Sequence, residues 1–177
     1  SEKKNMIAKK TGLGFELNIS NDVVTYGTLV EIVVSANGNN AAVHGFDFTV
    51  AVPAGTQFVG YEKLNDNFNL VVTAPEKADN EAKLSAFAVN NAEGKKQNVS
   101  IDGETALVKL FFRVTKEVVN AENGFVASVK KENTAVSVLK DGVSTAIENF
   151  ENFNDDKCNT QKFLDFNGDN FATSRDL

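Results

Sequence analysis

Near the end of the chain, oxygen-bearing side chains recur at a spacing suited to a hard cation. In Asp165-Phe166-Asn167-Gly168-Asp169-Asn170-Phe171-Ala172-Thr173-Ser174-Arg175-Asp176-Leu177, residues Asp165, Asn167, Asp169, Thr173 and Asp176 stand at loop positions 1, 3, 5, 9 and 12. Calcium takes roughly six to eight oxygens at about 2.3–2.6 Å, and this spacing wraps them around one centre. The backbone carbonyl of Phe171, at position 7, supplies the remaining inner ligand. Asn170 holds position 6, where the turn needs positive φ; after glycine, asparagine enters that region most readily. Calcium is therefore the expected cofactor.

Other reactive side chains are scarce. Histidine occurs once, at His44, cysteine once, at Cys158, and tryptophan not at all. A lone histidine before a strand reads as a surface-loop residue. A lone thiol in a polar tail, with nothing nearby to activate it, reads as incidental. Neither a disulfide nor a cysteine-based zinc cluster can form within such a chain. Glycosidases need two carboxylates held about 5–10 Å apart, and no motif brings Asp47 and Glu104 together. A non-catalytic protein is expected. The formal charge of −6 and the scattered lysines argue against nucleic acid as a partner. No apolar run approaches the roughly 20 residues of a spanning helix.

The elements that carry these residues are strands. In Phe15-Glu16-Leu17-Asn18-Ile19 the odd positions are apolar; in Gly45-Phe46-Asp47-Phe48-Thr49-Val50-Ala51-Val52 the even ones are, which turns Asp47 and Thr49 the other way. Residues 106–114 bury their even positions and show Lys109 and Arg113. Residues 29–34, 58–61, 69–73, 84–89, 125–129 and 134–139 read as further strands, and the polar stretch 74–83 as a surface loop. Tyr26-Gly27, Asn37-Gly38, Pro53-Ala54-Gly55, Glu93-Gly94, Asp102-Gly103, Asn123-Gly124 and Asp141-Gly142 supply turn chemistry between them. The expected fold is all-β, an antiparallel β-sandwich of jelly-roll type with about nine strands and an irregular C-terminal tail. Fourteen phenylalanines would supply much of its tryptophan-free core. The expected organisation is a lead-in over 1–13, the sandwich over 14–147, a linker over 148–164 whose aromatics dock back, and the calcium loop over 165–177.

The calcium loop is EF-hand-like, but its position 12 is Asp rather than the usual Glu. In that departure it resembles a dockerin repeat, Asp-x-Asn-x-Asp-Gly-x-hydrophobic-Asn/Thr-x-x-Asp-Leu. The resemblance implies that Ser174 and Arg175, at positions 10 and 11, contact a partner. A dockerin carries two such loops with exit helices. These residues hold one, so they are not expected to work as a dockerin by themselves.

Residues 14–147 resemble a cohesin, the module that receives dockerins in cellulosome-type assemblies. The likeness runs through Phe15 to Ile19, Val24-Thr25-Tyr26-Gly27, a long second strand ending near Ala36, Gly45 to Pro53, Leu84 to Asn90, and Asp102-Gly103 leading into 106–114. It implies a partner on one exposed sheet face, with Gly45, Asp47 and Thr49 outward and Ser85, Phe87, Val89, Asn90 and Asn91 beside them. Periodicity leaves two registers open for residues 84–89, one with Phe87 exposed and one with Phe87 in the core. The implied function is a secreted or cell-surface bacterial module that receives dockerin-bearing proteins in a multi-enzyme polysaccharide-degrading complex, its own loop serving cohesin-bearing proteins. The alternatives are a carbohydrate-binding module attached to a dockerin, with polysaccharide as its ligand, and a spacer that binds nothing.

Overall fold

Alternation of apolar and polar residues sets a buried and an outward face on most of the longer strands, and two layers result. The computed structural model describes residues 13–116, 124–147 and 153–160. Its strands are β1 (Gly14–Ile19), β2 (Val23–Val24), β3 (Leu29–Val43), β4 (Gly45–Ala51), β5 (Thr56–Lys63), β6 (Asn69–Thr73) and β7 (Glu81–Phe87). They continue as β8 (Val89–Asn90), β9 (Lys95–Lys96), β10 (Val99–Val114), β11 (Phe125–Lys140), β12 (Val143–Ala146), β13 (Phe153–Asn154) and β14 (Asp156–Thr160). One sheet runs β13-β1-β3-β10-β5. The other runs β2-β14-β11-β4-β7-β6, with β12 on β11, and β8 and β9 form a small ladder of their own. Pairing is antiparallel except between β13 and β1 and between β14 and β2.

The interior is built as the alternation implies. Phe15, Leu17 and Ile19 of β1, with Val30, Ile32 and Val34 of β3, are buried with Phe46, Phe48 and Val50 of β4 in one core cluster. The ring of Phe15 lies 5.6 Å from that of Phe46 and 5.1 Å from that of Phe48, both tilted, an arrangement aromatic quadrupoles favour. Each such ring contributes roughly 1.5–3 kcal/mol by leaving water. Because these rings supply much of the bulk, β7 can turn two alanines, Ala82 and Ala86, inward on either side of Leu84.

Several expectations are corrected. The described residues hold fourteen strands rather than about nine, mostly because two-residue pieces were invisible to periodicity. Residues 125–129 and 134–139 belong to one strand, β11, interrupted by an irregularity between Lys130 and Ala135. Asn37-Gly38 lies within β3, and Asp102-Gly103 within β10, where the register shifts between Ile101 and Gly103. A second shift between Ala106 and Val108 leaves Ala106 exposed and Leu107 buried, so the even-face pattern of β10 begins only at Val108. Residues 81–83, expected in a loop, open β7.

The sandwich also runs past the expected boundary at 147. Within the expected linker, β13 pairs with β1, and β14 lies between β11 and β2, so residues 153–160 join both sheets. Asp155 and Asp156 fix this strap. Their carboxylates accept the backbone N–H of Val129 at 3.2 Å and of Ile19 at 2.8 Å.

Candidate functional site

Strand register arranges the outward side chains of the second sheet in rows. Gly45 lies between Ser137 on β11 and Phe87 on β7; Asp47 between Ala135 and Ser85; Thr49 between Lys130 and Lys83. On the far side, β6 places Asn69 beside Phe87 and Val71 beside Ser85. Since Phe46, Phe48, Ala86 and Leu84 point into the core, these residues face away from it. Gly45, Asp47, Thr49, Ser85 and Phe87, expected on one face, are thus brought together. The open register of β7 resolves with Phe87 exposed at 51%, next to Val71 at 55%.

The polar groups of this face are partly committed. Ser85 Oγ donates to Asp47 Oδ1 at 3.0 Å. Lys130 Nζ donates to Glu81 Oε2 at 2.9 Å, and that hydrogen bond and charge hold the ammonium above its ordinary pKa. Gly45 is fixed by packing. A Cβ there would stand 2.7 Å from the carbonyl oxygen of Ala86, closer than a side chain tolerates. Above it lies a hollow of about 270 Å³, lined among others by Asp47, Phe87, Ser137 and Ser144.

Other expected residues fall elsewhere. Val89 is half-buried and sits with Asn90 in the β8–β9 ladder, outside the rows. The Asn90 side-chain oxygen accepts the N–H of Ala92 at 3.1 Å, so it shapes its own turn, while Asn91 is exposed. His44 is not a surface-loop residue. It is buried, its ring Nδ1 lies 2.9 Å from the Gln97 carbonyl oxygen, and its backbone N–H donates to Ser137 O at 2.7 Å. Asp47 and Glu104 are on different sheets. Cys158 packs against the core from β14. Burial, then Asp156 and Asp22, pushes its thiol up to about 11. Asp165, Asn167, Asp169, Phe171, Thr173 and Asp176, with Ser174 and Arg175, lie outside the described residues.

Sequence reasoning passed over Val71, Lys83, Ser137 and Ser144. Val71 was within reach, since Leu70 and Val72 flank it with a clear inward alternation. Ser144 was not, because β12 reaches the site only through its hairpin with β11.

No family model matches the sequence, and no curated protein matches it. Solved structures do match. The seventh ScaB type I cohesin of Pseudobacteroides cellulosolvens is similar at TM-score 0.60 and 16% identity, covering 89% of this chain and 97% of that one. A non-cellulosomal cohesin of the archaeon Archaeoglobus fulgidus is similar at 0.55 and 16%, covering 84% and 88%. A type I cohesin–dockerin complex of Clostridium thermocellum is similar at 0.57 and 11%, covering 84% and 92%. The chain has a cohesin-like fold. At these identities the likeness concerns the fold alone.

Proposed function

We propose that the protein is a non-catalytic, secreted or cell-surface bacterial module that receives dockerin-bearing proteins on the outward face of its second sheet, as part of a multi-enzyme polysaccharide-degrading assembly. The observation that carries the reading is Phe87, a half-exposed aromatic in the outward row of β7, whose other members Glu81, Lys83 and Ser85 are polar, set beside the Gly45 hollow and Asp47. Exposed aromatics beside a pocket are the residues that dominate protein interfaces. The fold shared with cohesins, one of them solved in complex with a dockerin, supports the choice of partner.

Calorimetric titration of dockerins encoded in the same genome against this chain tests the reading. Micromolar or tighter binding by at least one is expected. Silence across the set, or retardation on cellulose, xylan or starch in affinity electrophoresis, would overturn it.

The reading extends to residues 165–177. There Asp165, Asn167, Asp169, Thr173 and Asp176, with the Phe171 carbonyl, are proposed to hold calcium, and Ser174 and Arg175 to meet a cohesin-bearing protein. The support is the spacing of oxygens in the sequence. Calcium titration of the full chain should show one site, lost in Asp165→Ala; a titration unchanged by that substitution would refute it.

A further inference from the structure

The binding face has a concave place over Gly45, and its chemistry is one-sided. At about 270 Å³ the hollow is smaller than ordinary small-molecule pockets, which begin near ~300 Å³, and is suited to one inserted side chain. Among the described residues that line it, Asp47 is the one carboxylate, and there is no lysine or arginine. Its Oδ1 accepts from Ser85, and among the described residues no cation pairs with it. The half-exposed ring of Phe87 stands opposite Gly45 on β7, and the hydroxyl of Ser137 opposite it on β11. Ser144 adds a second hydroxyl from β12.

We propose that this hollow takes an arginine side chain of the partner protein. A long aliphatic stem lies along the Phe87 ring, and the guanidinium meets the Asp47 carboxylate while its remaining N–H groups donate to Ser137 and Ser144. A planar fork of donors matches a carboxylate and neighbouring hydroxyls together and stacks on an aromatic face, which the compact ammonium of lysine does not. Gly45 leaves the backbone bare beneath the hollow, since even a Cβ there would strike Ala86 O. The inference rests on the reading above for the identity of the partner. The chemistry of the hollow does not depend on it.

The test is an NMR titration of the full chain with N-acetyl-L-arginine amide, against N-acetyl-L-norleucine amide as the uncharged control. Saturable shifts at the amides of Gly45, Ser85, Phe87 and Ser137 are expected with the arginine probe alone. They should vanish in Asp47→Asn, which keeps an acceptor for Ser85, and in Ser144→Trp, which fills the hollow from its rim. Equal shifts from norleucine amide, or none at these amides, would overturn the assignment. So would a hollow already occupied in the free chain and emptied by Arg175→Met, which would put the chain's own segment there. With a dockerin that binds, replacing its exposed arginines by methionine one at a time should cost at least ten-fold in affinity at one position, and little more when Asp47 is already Asn. If the arginine probe finds the hollow and no dockerin binds, the site stands and the proposed partner falls. If a dockerin binds while the hollow ignores the probe and no arginine couples to Asp47, the partner stands and the site falls.

Discussion

Phe87 keeps half of its surface in solvent beside a glycine that the approach of β7 makes obligatory. Removing the ring should therefore separate binding from folding. Phe87→Ala is expected to lower dockerin affinity by about 30-fold or more, the loss typical of an interface anchor. Its melting temperature should stay near that of the parent, as for other surface substitutions. Calorimetry and thermal denaturation check the two halves. Gly45→Ala behaves differently, because its Cβ meets Ala86 O at 2.7 Å and β4 must shift from β7. Overpacking of this kind costs about 1–3 kcal/mol, and each kcal/mol lowers the melting temperature by roughly 2–4 °C in a chain of this size. Cys158 offers a third residue-scale outcome. With its thiol at about 11 when folded, against 9.0 for an ordinary cysteine, little thiolate exists at pH 8, and thiolate is the reactive form. Alkylation at pH 8 should be roughly a hundred-fold slower in the folded protein than after unfolding in guanidinium. The same shift makes stability fall with pH. Between 9 and 11 the unfolded thiol loses its proton while the folded one keeps it, so this contribution is intact below pH 9 and is lost as pH rises toward 11.

At the scale of the element, the strap of β13 and β14 is held by carboxylates as much as by its ladder. Asp155 and Asp156 accept the backbone N–H groups of Val129 and Ile19 beside the short β14 and β13 ladders. An unsatisfied buried donor costs about 1–3 kcal/mol. The double substitution Asp155→Ala, Asp156→Ala should lower the melting temperature measurably, and hydrogen exchange at Ile19 and Val129 should quicken most. Gly124, which leads into β11, has φ of 73° and would place a Cβ 2.5 Å from Cys158 O. Gly124→Ala should therefore loosen β14 from β11, seen as faster alkylation of Cys158.

For the whole molecule, the strap matters because it belongs to both sheets at once. A chain ending at Asn152 keeps every strand up to β12 but removes one of the neighbours of β1 and of β11 and, among the described residues, the one neighbour of β2. Cooperative unfolding is expected to be lost or its midpoint sharply lowered, whereas a chain ending at residue 162 should melt like the full protein. Equal melting of the two would mean that the sandwich closes without the strap.

The sequence by itself determined which way the side chains of β1 and β4 point, because alternation with period two is a property of neighbouring residues and needs no partner strand. It thereby placed Asp47 and Thr49 outward and the phenylalanines inward. It left β7 undecided, since a face of two alanines and a leucine looks too small for a core until the Phe15 and Phe48 rings from β1 and β4 are seen to fill it. The turn dipeptides show the same limit. Asp141-Gly142 and Asp102-Gly103 are the same pair of residues, yet the first turns a hairpin with both φ positive, at 53° and 78°. The second has only Gly103 at 73° and stays inside β10 as an irregularity against β3. Positive φ serves a turn or a bulge equally, and only the strand lying alongside decides between them. The tail follows suit: residues 153–160 carry weak strand signal of their own, and become strands because the edges of two sheets offer unpaired backbone groups there.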